Sequence, residues 1–250
     1  MLVDSHCHLN YLDDPQRAIR DAHAAGVTEM LCIGVNEAGA PDVLACADND
    51  GIWATLGEHP DGVSGDPAWL TQHLTDPRVV AVGETGLDYL HAEDPDSRKA
   101  QYASFDAHLA IAADADLPVV VHTRAAEADT RELLQRHKGV RGVLHCFTES
   151  WSLASVALDL GWFVSISGIV TFKNAANVRD VAQRIPDERL LIETDAPWLA
   201  PAPHRGTQNA PALLPHTAAF LSELKGIDVE ALASMTRRNF FALFTKTRET

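Results

Sequence analysis

The chain has 250 residues, close to the length of about 250 residues typical of one (β/α)₈ barrel, and its 46% hydrophobic and 22% charged content excludes extended disorder and a small disulfide scaffold. Twenty Lys and Arg against thirty-five Asp and Glu give a net charge of −15, which excludes a surface that grips polyanions by diffuse attraction and leaves only local nucleic-acid contacts. Cys7, Cys32, Cys46 and Cys146 show no C-x-x-C spacing, and no run approaches a membrane span, so reduced thiols, no cysteine zinc site and cytoplasmic residence are expected.

Eight short, β-branched runs alternate with stretches of helical period. In chain order the strand candidates are Leu2 to His6, Val27 to Ile33, Ile52 to Leu56, Val79 to Gly83, Pro118 to His122, Gly142 to His145, Trp162 to Ser165 and Leu190 to Glu193. Runs such as VVAVG and PVVVH are continuously apolar, as in parallel strands covered on both faces. Asp14-Pro15, Asp66-Pro67 and Asp94-Pro95 read as helix starts, the last leading a helix to Ala115. No G-x-G-x-x-G follows the first strand, and no G-x-x-x-x-G-K-[ST] occurs, which removes the main support for a doubly wound nucleotide fold. After the eighth strand, residues 200–215 read as a long Pro-rich loop, followed by helices near Ala212 to Lys225 and Val229 to Phe244. The expected architecture is α/β, a TIM (β/α)₈ barrel with an extra C-terminal helix, in one domain over residues 1–250.

Side chains alternate along a strand, so His6 and His8 face one side and Cys7 the other. Two imidazoles can then meet one ion. Glu84, His122, His145 and Asp195 stand at the C-terminal ends of four further strand candidates, the face where barrel active sites are built. On placement alone this metal-binding reading competes evenly with a helix-capping Glu84, carbonyl-bonded core histidines at 122 and 145, and an N-capping Asp195 before Pro197.

The segments DSHCHLN, GEHP, VGETGLDY, PVVVHTR, VLHCFTES, SGIVTFKNA and ETDAPWLAP, in this order from residue 4 to about 211, resemble the signature blocks of the TatD-type metal-dependent deoxyribonucleases of the amidohydrolase-like superfamily. The resemblance implies a metal-dependent barrel hydrolysing phosphodiester bonds of DNA, as an exonuclease on single-stranded ends. It further implies that His6 and His8 hold a first divalent ion, Glu84 bridges, His122 and His145 hold a second, and Asp195 ligates the first beside the attacking water. The chain departs from the family pattern at Glu58, Asp61, Ala125, Glu149 and Ala210. None of these removes an implied ligand.

Two divalent ions against the Glu84 and Asp195 carboxylates would leave a centre of about two positive charges, attractive to phosphate oxygen. Asp195 is the expected general base. The donor set suits Zn²⁺, whereas nucleic-acid chemistry often runs with Mg²⁺ or Mn²⁺. His59, Arg124, Lys173, His204 and Arg205 are the candidate phosphate contacts, Cys7 and Cys146 read as core thiols, and Trp198 stands at the rim with either a stacking or a packing role. The expected partner is a short or single-stranded DNA end bound by a monomer. The competing readings are a metal-dependent hydrolase of carboxyl esters or amides, such as aminoacyl esters, and a metal-loaded binding module without catalysis.

Overall fold

The computed structural model describes residues 1–92 and 94–248. Eight parallel strands lie side by side in chain order: β1 Leu2–Cys7, β2 Val27–Ile33, β3 Ile52–Leu56, β4 Val79–Asp88, β5 Val119–Arg124, β6 Gly142–Leu144, β7 Phe163–Ile166 and β8 Leu190–Ile192. The helices are α1 Pro15–Ala24, α2 Ala40–Cys46, α3 Pro95–Ala115, α4 Glu127–Arg136, α5 Trp151–Asp159, α6 Ala176–Arg184, α7 Leu214–Lys225 and α8 Val229–Leu243. This is the TIM barrel expected from the alternation of runs, with α8 as the extra helix. Among the described residues no helix is long and apolar enough to cross a membrane.

Two apolar clusters divide the core. The larger packs the outward faces of the strands against the helices. The smaller lies inside the barrel, where Val3, Leu31, Ala81, Val120, Val143, Phe163 and Leu191 meet Phe240 and Phe244 from the end of α8. Residues of both kinds follow one another along a strand, because successive side chains point to opposite faces. The seam between β8 and β1 is closed just beyond the end of β8, where Asp195 N–H donates to the His6 carbonyl at 2.9 Å and His8 N–H to the Ala196 carbonyl at 2.8 Å.

Asp14 and Asp94 cap their helices as the Asp-Pro signal predicts, accepting from the Arg17 amide at 2.9 Å and from the Asp96 and Ser97 amides at 2.9 Å each. Asp66 also caps, accepting from Ala68 N–H at 3.0 Å, but Pro67–Gln72 forms a 3₁₀ helix instead of the expected α-helix. The fourth strand also differs, continuing to Asp88 where Gly83 is the expected end. It shifts register between Val82 and Thr85 and then pairs on to Asp88 opposite Arg124. Gly86 makes that continuation possible, because a Cβ there would collide with the His122 carbonyl.

Candidate metal centre

The six residues singled out as ligands come together at the C-terminal mouth of the barrel. His6 lies within β1, Glu84 within β4 and His122 within β5, while His8, His145 and Asp195 stand just beyond β1, β6 and β8. Glu84 is at the middle, and its two oxygens face different imidazoles. Oε2 lies 3.4 Å from His6 Nε2 and 3.7 Å from His8 Nε2. Oε1 lies 2.8 Å from His145 Nε2 and 3.4 Å from His122 Nδ1. Asp195 Oδ1 is 3.6 Å from both His6 Nε2 and His8 Nε2.

Three of the four rings are held from behind. Ile33 C=O faces His8 Nδ1 at 3.2 Å, Asp88 Oδ2 faces His122 Nε2 at 3.2 Å, and Glu193 Oε1 faces His145 Nδ1 at 3.2 Å. These oxygens accept the ring N–H, which leaves the other nitrogen of each ring facing Glu84. A carboxylate or carbonyl fixing the tautomer of an imidazole is the usual support of a metal ligand. His122 and His145 are therefore not the carbonyl-bonded core histidines of the competing reading, and Glu84 points into the centre of the mouth instead of capping a helix. His6 stacks on His145 with ring centroids 3.8 Å apart, and among the described residues its Nδ1 has no hydrogen-bond partner. The nitrogen and carboxylate donors suit divalent cations: His6, His8 and Asp195 offer atoms within 4.8 Å of one another, as do His59, Glu84 and His122.

The electrostatics express the same crowding. Burial works to raise the Glu84 carboxyl, but His145, His59 and His6 outweigh it and hold the group well below the usual carboxylate range. Asp195 is likewise pulled down by His8 and His6 against its burial. Burial would lower His145 and His122, yet Glu84 with Glu193 holds the first well above the imidazole range, and Asp88 with Glu84 raises the second. His6 is lowered, by burial and by the charge of His145. In the free protein, protons on His145 and His122 thus balance carboxylates that bound cations would balance instead.

Below the centre, Asp4 ties β1 to the segment after β8, accepting from the Thr194 amide at 2.9 Å and the Thr194 hydroxyl at 2.5 Å. Its burial pushes its carboxyl up to about 7. Asn209 Nδ2 donates to the carbonyls of Thr194 at 2.8 Å and Trp198 at 2.6 Å, clamping the turn that carries Asp195. Asp4, Asp88, Glu193 and Asn209 escaped the reading of the sequence. The period of two could have found Glu193, two residues after the inward Leu191.

The mouth opens into a cleft of about 990 Å³ whose wall includes His59, Asp61, Arg124, Cys146 and Trp198. His59 and Arg124, two of the five candidate phosphate contacts, are on that wall. Lys173, His204 and Arg205 are not among its lining residues: the Lys173 carbonyl accepts from Arg179 at 3.2 Å, His204 Nε2 meets His216 Nε2 at 2.9 Å, and Arg205 stacks over Phe172 at 3.6 Å. Asp61 N–H donates to His59 Nδ1 at 3.2 Å, which puts the proton of the neutral ring on Nε2, 3.6 Å from Glu84 Oε1. Cys7 is a core thiol as expected. Cys146 is half-buried on the cleft wall, with Sγ 3.1 Å from Ser167 Oγ, because the backbone at Cys146 takes a φ of 41° and turns its side chain out of the strand pattern. Trp198 is 49% exposed and meets His8 and Tyr11 edge-on.

Three of the departures have a local role. Buried Glu58 accepts from Trp69 Nε1 at 3.0 Å, from the Ser64 amide at 3.0 Å and from the Ser64 hydroxyl, fastening the loop that carries His59 and Asp61. Glu149 Oε1 accepts from the Ala125 amide at 3.1 Å, so two departures touch each other. Nothing in the structure explains Ala210.

With this geometry in place, comparison with known proteins is decisive. The model of the TatD related DNase family matches residues 3–245. The chain belongs to that family. Among TatD-family relatives, the uncharacterized metal-dependent hydrolase YcfH of Escherichia coli K12 is 42% identical over 254 residues, covering 97% of this chain and 95% of its own. The 3′-5′ ssDNA/RNA exonuclease TatD of Klebsiella pneumoniae is 37% identical over 243 residues, covering 92% of each. The crystal structure of YJJV, a TatD homologue from E. coli K12, superposes with a TM-score of 0.90 at 30% identity, covering 98% of both chains. As a TatD-family protein, this chain is a metal-dependent hydrolase.

Proposed function

We propose that this protein is a deoxyribonuclease that hydrolyses phosphodiester bonds at short or single-stranded DNA ends, using two divalent ions held by His6, His8, Glu84, His122, His145 and Asp195. The observation that carries the reading is the division of Glu84, one oxygen toward His6 and His8 and the other toward His122 and His145. The ions would be Mg²⁺, Mn²⁺ or Zn²⁺, and bound there they supply Lewis acidity to water and to a phosphoryl oxygen. Asp195, 13% exposed at its side chain and facing the cleft, takes the proton of the attacking water. His59 donates a hydrogen bond from its Nε2–H to a phosphate oxygen, a role consistent with a ring whose burial holds it below its ordinary value and so neutral. Arg124, exposed on the cleft wall, supplies a fixed positive charge to the next phosphate. The relative from K. pneumoniae, an exonuclease on single-stranded DNA and RNA by name, supports the same substrate class, and we place the working enzyme in the cytoplasm as a monomer.

The test is nucleotide release from single-stranded DNA by the purified protein with each of the three ions. Release by the wild type and its loss in His122→Ala support the proposal. Equal release by His122→Ala, or none from the wild type with any of the ions, overturns it.

A further inference from the structure

The wall of the cleft holds a cluster that the six ligands do not use. Asp61, from the loop after β3, and His91, from the loop after β4, meet Asp88 at the end of β4, with donor atoms all within 4.8 Å of one another. His91 Nδ1 lies 3.0 Å from Asp88 Oδ2 and 3.8 Å from Asp61 Oδ1. Four ligands around one cation at 2.0–2.2 Å stand about 3.3–3.6 Å from each other, so a small adjustment of two half-exposed side chains brings the three atoms to one ion. Among the described residues, no hydrogen bond reaches the Asp61 carboxylate. Its other oxygen lies 3.5 Å from His59 Nδ1, which already accepts the Asp61 amide. We propose that Asp61, Asp88 and His91 bind a third divalent cation on the cleft wall, separate from the central pair.

The donors are one imidazole nitrogen and two carboxylate oxygens with solvent on the open side, a set suited to Mn²⁺ or Zn²⁺ with water completing the shell. His91 and Asp61 have side chains 55% and 51% exposed, so this ion exchanges more freely than the buried pair. Asp88 joins the two regions, because the Oδ2 that faces His91 also accepts from His122 Nε2.

Charge gives the third ion a use that rests on the nuclease reading. Four carboxylates surround the central pair, since Asp88 and Glu193 stand directly behind His122 and His145. They cancel two divalent cations, where Glu84 and Asp195 alone would leave two positive charges. With Asp61 added, a cation at the wall restores a net positive charge where an incoming phosphate strand passes, within an enzyme of net charge −15.

The test is the number of Mn²⁺ ions bound at saturation, by calorimetry and by electron paramagnetic resonance, in the wild type and in the double variant Asp61→Asn/His91→Gln. Both positions are half-exposed, and circular dichroism checks the fold. The expected result is three ions in the wild type and two in the variant. The same number in both overturns the proposal, whether two or three. If the central pair is absent, both counts fall together while their difference of one persists, so the two readings fail separately. Glu84→Gln should lose central ions and keep the wall ion.

Discussion

Along β5, β6 and β8 the inward column of side chains changes character in a single step, from Val120 to His122, from Val143 to His145 and from Leu191 to Glu193. Two residues rise about 6.6 Å along a strand, so an apolar layer and a polar layer share one barrel interior. The lower layer is Val, Leu and Phe closed by Phe240 and Phe244, and its burial favours folding without any ion. The upper layer contains buried carboxylates and imidazoles that hold their charges only by facing one another. The difference teaches a division of labour: the lower layer supplies stability and the upper layer, unfavourable alone, is poised for cations.

The sharpest way to separate the layers is to remove the expected base. Asp195→Asn should lower kcat on single-stranded DNA by about 10²–10⁴-fold, with the thermal midpoint of the metal-free protein little changed. A full loss of cooperative unfolding in this variant would break the division. The converse variant, Phe240→Ala, should cost about 3–5 kcal/mol of stability, read by urea unfolding, while central-ion stoichiometry in the folded protein stays as in the wild type. A smaller effect is expected behind the ligands. Asp88→Asn and Glu193→Gln should each weaken ion binding about 10–100-fold, measured by competition with a chelating dye, because a neutral amide replaces the carboxylate behind His122 and His145 and makes each ring a weaker ligand.

The pH dependence sharpens the same contrast. His145 and His122 are raised by their carboxylate neighbours against burial, so they are protonated up to a higher pH than ordinary imidazoles. A cation must displace those protons, and its affinity should fall as pH falls, with log K changing by about one to two per pH unit below the raised values. Affinity independent of pH between 5 and 8 would contradict this. The apolar layer carries no titrating group, so a Phe240→Ala variant should keep the wild-type slope.

The parts of this design that show in the sequence are those set by local chemistry. VVAVG and PVVVH read as parallel strands because both faces are buried, and Asp14-Pro15 and Asp94-Pro95 start helices through caps a few residues long. Five ligand positions show because each stands at or near a strand end, while Glu84 lies within β4 at its shift of register. The supports do not, since Asp4 to Thr194 and His145 to Glu193 are contacts across 190 and 48 residues, and no spacing rule reaches that far. The end of β4 was hidden for another reason. The strand candidate ends at Gly83, but Gly86 lets the backbone approach β5 and keep pairing, which places Asp88 behind His122. The charge count from Glu84 and Asp195 covers the ligands alone and leaves out Asp88 and Glu193, which stand behind His122 and His145.

The account depends on the upper layer holding two cations through one shared carboxylate. Anomalous diffraction from crystals loaded with Mn²⁺ tests this most directly. The predicted result is two peaks about 3.5–4 Å apart, one against His6, His8 and Asp195, the other against His122 and His145, both touching Glu84, with any peak at Asp61, Asp88 and His91 in addition. No peak at Glu84, or a single ion bound without it, would contradict the account.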